Sequence, residues 1–481
     1  MTAAAVFSAA AQGGQPQRGE GKVVDACEDT LNLAMLVRAP ALRGDLLLKS
    51  VVLCSPANRD LRIEVLERVF QIASQVEEPY PRDPVPIGFT DTEPALSAIA
   101  SGLGLDQLSL RTRALSSLAV LDMRKARDWF ESIAPRQPSA LTCDDYQVAR
   151  LAGYYDTLRE LADRSFSPEE VAKGVREKFI IAHLLPIQSP AEVAGVLNFL
   201  ATARLDAQAL ELLLTMAAVQ IETVDSDDRA FSVQMLAEGG QDRIKVLAER
   251  CGREGVNPAP FLSAYRGYYA RQLAKPRCGD FARSEPLRAR EQQALAQLSA
   301  IAGPHLDEVS ADLNTIHSAK LQDSKAPRDL VVAEPRYEAW FKDLLARGNP
   351  GVGQPPAAAV FDRVAREISD WELPDGFTGP QFFQIKALTL ARLMQQAKGD
   401  EERNRAADAN AEFFAKADEM QMEHSAEWLF LFRQFLSQCK ASAALRAAIF
   451  SRLEENRDPA LSVYARLERI LQVAPAAGAG R

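Results

Sequence analysis

Four histidines limit what acid–base or metal chemistry the chain can perform, because imidazole is the side chain that titrates near neutrality and ligates transition metals most often. His305, Glu308 and Asp312 stand at i, i+3 and i+7 of a predicted helix, so all three share one face and form a weak candidate for a divalent metal. A solvated polar face accounts for the same spacing, and no metal and no cofactor are assigned. His317 cannot join them, since twelve residues of helix place it about 18 Å along the axis and about 120° around it. His183 lies in the apolar run Phe179-Ile180-Ile181-Ala182-His183-Leu184-Leu185 and is expected in the core with a backbone partner. His424, near a helix start, has no partner that spacing can name.

Other arrangements fail on specific residues. Asp225, Asp227 and Asp228 form an acidic turn, but a calcium loop needs glycine sixth and glutamate twelfth, where this chain has Ala230 and Leu236. A turn with a helix cap is expected there. Gly348-Asn349-Pro350-Gly351-Val352-Gly353 has no Gly-Lys-Ser/Thr and follows no strand, so it is a linker and not a phosphate cradle. Neither a Gly-x-Ser-x-Gly elbow nor a His-Glu-x-x-His helix occurs. No catalytic residue is therefore assigned.

The best contact candidates are aromatic and basic. Tyr265, Arg266, Tyr268, Tyr269 and Arg271 cluster in one helix, and Gly267-Tyr268-Tyr269 echoes Gly153-Tyr154-Tyr155. Tyrosine and arginine are the residue types that dominate interface hot spots, so Tyr154, Tyr155 and the second cluster are candidate binding residues. Core packing with hydroxyls at the rim is the alternative. Six cysteines include no Cys-x-x-C. Cys27/Cys54 and Cys251/Cys278 are each 27 apart, a separation that lets a disulfide bridge two antiparallel helices; buried free thiols are the other reading.

The elements that must position these residues announce themselves by their starts. In Ser167-Pro168-Glu169-Glu170 and Ser189-Pro190-Ala191-Glu192, serine can cap the first turn, proline fits the first helical position, and glutamate can reach back to close a capping box. Leu61, Val65, Leu66, Val69 and Ile72 share one helical stripe, as do Val148, Leu151, Ala152, Tyr155, Leu158 and Ala162. The helix over 423–439 is apolar on nearly every side and is expected at the centre of a C-terminal domain. Asp329-Leu330-Val331-Val332 is the only strand-like run. The fold class is all-α: an irregular array or solenoid of about twenty antiparallel helices, whose C-terminal helices can form a separate bundle. No tetratricopeptide or ankyrin period is legible.

The expected organisation is a leader or signal-peptide remnant at 1–21, a helical array over 22–322 with a Pro-rich loop at 77–94, a linker region with one helix over 323–356, and a C-terminal helical domain over 357–473. With 481 residues, 47% hydrophobic and 25% charged, the chain can bury a large core without metals. A net charge of -9 argues against nucleic acid. No uncharged apolar run is long enough for a transmembrane segment, since Arg204, Asp206 and Glu211 interrupt the most apolar stretch. Abundant alanine and arginine suggest a bacterial GC-rich genome, and the cytoplasm is favoured over a secreted or periplasmic destination. Function is expected to be a binding or scaffold role, with a helical surface recognising a protein or peptide partner; the alternative is an all-α enzyme whose site assembles from distant helices.

Overall fold

A computed structural model describes residues 20–54, 58–76, 104–133, 151–224, 230–231, 241–273, 293, 335–346, 357–375, 378–417, 426–439 and 443–473. The fold is an all-helical irregular array, with nineteen helices and no sheet among the described residues. It begins with α1 (Glu20–Met35), α2 (Pro40–Cys54) and α3 (Arg59–Ala73). Residues 1–19 of the expected leader, the Pro-rich loop at 77–94 and the strand-like run at 329–332 lie outside the described residues, and α1 starts within the span expected of the leader.

One of two compact units lies between Ala73 and Val332. Its described helices are α4 (Gln107–Leu121), α5 (Met123–Glu131), α6 (Ala152–Arg164), α7 (Pro168–Ala172), α8 (Val175–Leu184), α9 (Pro190–Thr202), α10 (Ala207–Thr223), α11 (Gln241–Glu254) and α12 (Ala259–Leu273). Their starts follow from local chemistry. Asp106, Asp122 and Asp206 each accept a backbone N–H of the first turn, and both expected capping boxes, at Ser167 and Ser189, are formed. The helix opened at Ser167 stops after five residues, because Gly174 at φ 70° turns the chain before α8.

Packing in this unit is a stack. α4, α6, α9 and α11 lie against one another in succession, and α12 lies on α10. α12 repeats the burial pattern of α10 at one constant offset, and at that offset the buried stripe of α11 falls on positions of α9, a helix buried on nearly every side. Val193, Val196 and Leu200 of α9 correspond to Ile244, Leu247 and Cys251 of α11; Leu210, Leu214, Ala217 and Ala218 of α10 correspond to Phe261, Tyr265, Tyr268 and Tyr269 of α12. Arginines tie successive layers. Arg250 donates to the Leu200 carbonyl at 2.7 Å and Arg271 to the Ile221 carbonyl at 3.0 Å, each across a separation of 50 residues. Both bonds fall on carbonyls in the last turn of a helix, and the Ile221 carbonyl also accepts the Val224 N–H of its own C-cap.

The other unit contains the described residues before Ala73 and those after Val332, so its helices come from both ends of the described chain. To α1–α3 it adds α13 (Pro335–Ala346), α14 (Ala357–Ser369), α15 (Gly379–Gln396), α16 (Asp400–Ala415), α17 (Ala426–Cys439), α18 (Ala443–Glu454) and α19 (Pro459–Val473). This grouping runs across the array boundary that the linkers suggest, because α1 and α2 pack on α19. α17 is buried on nearly all sides, with Trp428, Leu429, Phe432, Phe435 and Cys439 in the core. Phe414 of α16 packs against Trp428, Phe432 and Phe435, and Phe432 against Tyr464 of α19.

Candidate functional site

The tyrosine clusters are interior. Tyr154, Tyr155, Tyr265, Tyr268 and Tyr269 are all buried. The Tyr154 hydroxyl lies 2.9 Å from His183 Nδ1, with the Phe130 and Phe179 rings packed around the imidazole. Burial pushes the His183 pKa down to about 4 and raises that of Tyr154, so a neutral imidazole and a neutral phenol share this hydrogen bond. His183 is the core histidine its sequence context implies, but its imidazole pairs with the Tyr154 side chain where a backbone partner is expected. Tyr155 packs on α9 where Gly195 leaves no Cβ. Tyr265 and Tyr269 group with Phe261 and Phe231. Arg271 caps α10 through the Ile221 and Glu222 carbonyls, and Arg266 is half-buried. The two Gly-Tyr-Tyr segments thus serve packing in separate helices, α6 and α12, and present no tyrosine face to solvent.

His305, Glu308, Asp312, His317, His424, the Asp225–Asp228 turn and the Gly348–Gly353 linker lie outside the described residues. Among the described residues no group of His, Cys, Asp and Glu could hold a metal ion. Cys27 and Cys54 form a disulfide between α1 and α2, with Cα atoms 5.4 Å apart. Cys278 lies outside the described residues, and Cys251 is a buried free thiol. Burial raises the Cys251 pKa and pushes that of Cys439 up to about 12, so neither is a ready nucleophile.

Chemistry concentrates instead at a recess of about 500 Å³ within the unit formed by both ends of the described chain. Ser369, Asp370, Trp371, Glu372 and Leu373, at the end of α14, form one side; Phe382 and Lys386 of α15 and Ala409, Glu412, Phe413 and Lys416 of and beside α16 complete it. Lys386 is only 8% exposed. Its Nζ donates to the carbonyls of Ser369 at 2.8 Å and Trp371 at 2.6 Å, closing the C-terminal end of α14. The same nitrogen stands 5.5 Å from the centroid of Phe382 and 5.7 Å from that of Phe413. Burial first, then the neighbouring Lys416 charge, pushes the Lys386 pKa down to about 8, against the opposing pull of Asp370, Glu412 and Glu372. Lys386 carries a sequence signal: it occupies the position between Phe382 and Leu390 on a helical stripe that is otherwise apolar.

A second feature is a surface. Leu212 and Val219 of α10 are 47% and 58% exposed, and half-buried Met216 lies between them on the same stripe. Among known proteins, no family model, no curated protein and no solved structure matches this chain.

Proposed function

We propose that the protein is a non-catalytic binding protein that recognises a protein or peptide partner on its stacked helices, with the outer face of α10 as the contact stripe. The observation that carries this reading is the pairing of an internally consumed core with an exposed apolar stripe. Arg250, Arg271, His183 and the five tyrosines are occupied by packing or by helix-end carbonyls, whereas Leu212 and Val219 face outward. Helical stacks present extended surfaces of this kind, and exposed apolar stripes mark contact sites more often than polar faces do.

Affinity capture from the source cells, with the intact chain and with a Leu212→Asp/Val219→Asp variant, tests the proposal. Specific partners retained by the first and lost by the second support it, provided circular dichroism shows the variant folded. Identical capture by both chains would sink the assignment to α10. The enzyme alternative draws on one observation, the buried amine of Lys386 at an open recess.

A further inference from the structure

We propose that Lys386 is a reactive amine, and that the recess around it takes up a small, uncharged, apolar aldehyde or ketone that condenses with Nζ. Access and shape come first. The recess holds about 500 Å³, the size range of small-molecule sites, and Trp371, Leu373, Phe382 and Phe413 give it apolar and aromatic lining. The charged groups that face the amine are of both signs: Lys416 on one hand, Asp370, Glu372 and Glu412 on the other. Neither a strongly anionic nor a strongly cationic ligand is favoured by that rim.

The amine is held for reaction by its own hydrogen bonds. Two N–H groups are directed at the Ser369 and Trp371 carbonyls, which fixes the nitrogen, and the remaining tetrahedral position has no hydrogen-bond partner among the described residues, with the Phe382 and Phe413 rings beside it. In the neutral amine that position carries the lone pair. With its pKa down at about 8, a substantial fraction of Lys386 is neutral at physiological pH, against roughly one part in a thousand for a lysine of ordinary pKa near 10.4. Trp371, 2% exposed, is buried against the recess and contributes ring surface to its lining.

The step balances without a further reagent. The nitrogen lone pair attacks the carbonyl carbon, a C–N bond forms, and the oxygen takes a proton from nitrogen to give a carbinolamine. Loss of water breaks the C–O bond and leaves the imine, both amine hydrogens having departed in that water. By taking up one proton from solvent, the imine nitrogen regains a single N–H for one of the two carbonyls. The Ser369 carbonyl, whose bond to Lys386 is only part-buried, can exchange its donor for water.

The test is reductive trapping on the intact folded chain with benzaldehyde and cyanoborohydride, followed by peptide mass spectrometry. Exposed Lys342 and Lys398 serve as internal references. Benzylation of Lys386 about tenfold faster than of either reference at neutral pH, with a half-maximal rate near pH 8, is the expected result. Labelling of Lys386 no faster than the references would overturn the proposal. So would labelling that appears only after the chain is unfolded in urea, since the amine would then be a helix cap closed to ligands.

Discussion

His183 and Arg250 show how far a single buried group can set the stability of a helical stack. The folded-state pKa of His183, about 4, lies below the unfolded value of 6.5, so the folded protein excludes a proton that the unfolded chain binds between those values. The stabilisation is therefore complete above about pH 6.5 and is lost as pH falls towards 4, by at most about 3 kcal/mol. His183→Asn, which keeps a hydrogen-bonding partner for the Tyr154 hydroxyl, should flatten that limb in urea titrations taken from pH 7 to about pH 4. A pH dependence identical to the wild type would refute the assignment. Arg250 makes a different case. It donates to the Leu200 and Leu205 carbonyls and to Glu254, the first two bonds being buried. Arg250→Met leaves two carbonyls and a carboxylate without their donor and should cost about 3 kcal/mol. Arg271→Met should cost about 1 kcal/mol, because the Glu222 carbonyl it abandons is exposed and water replaces the donor. Urea midpoints of the two variants, compared at equal slope, check the order.

At the scale of elements, the helix crossings carry the specificity. α9 meets α6 where Gly195 faces the Tyr155 ring, and an added Cβ there would fall inside the ring's van der Waals envelope. Alanine would gain about 1 kcal/mol of helix propensity, but overpacking a closed crossing costs about 1–3 kcal/mol or more. Gly195→Ala should therefore lower stability by about 2 kcal/mol, and the loss should shrink in a Tyr155→Leu background, measured as a double-mutant cycle. The same crossing explains what sequence could and could not disclose. The boxes at Ser167 and Ser189 are legible because each is written within four residues. The break at Gly174 is missed because a single glycine after a capping box is compatible with a continuing helix. The stacking of α11 and α12 on α9 and α10 is illegible because it preserves only burial: Ala217 corresponds to Tyr268 and Leu200 to Cys251. The visible Gly-Tyr-Tyr echo joins instead two helices that are not equivalent. Lys386 is half legible, as a charge on an apolar stripe, but its acceptors Ser369 and Trp371 belong to the end of another helix.

At the scale of the whole chain, the unit assembled from both ends depends on contacts that close a very long loop. α1 and α2 are stapled by Cys27–Cys54 and lie on α19. Beneath them Asp45, 1% exposed, receives Lys49 at 2.6 Å from its own helix, Arg433 of α17 at 3.2 Å and the Tyr464 hydroxyl of α19 at 3.3 Å. A carboxylate so placed joins three helices, through partners 388 and 419 residues away in sequence, and leaving those partners uncompensated is costly. Asp45→Asn should thus destabilise this unit by about 3 kcal/mol. The disulfide acts on the unfolded chain instead. Closing a loop of 27 residues is worth about 3–4 kcal/mol by chain entropy, so Cys54→Ser should cost that much and dithiothreitol should do the same to the wild type. Tryptophan fluorescence can isolate the effect: Trp340, Trp371 and Trp428 belong to this unit and Trp129 to the other, so a Trp129→Phe background reports one unit alone. The expected outcome is a lower urea midpoint for fluorescence on reduction, with amide exchange of α9–α12 unchanged. If reduction leaves the fluorescence midpoint in place, the staple does not stabilise the unit. If it loosens α9–α12 equally, the two units do not unfold as separate bodies.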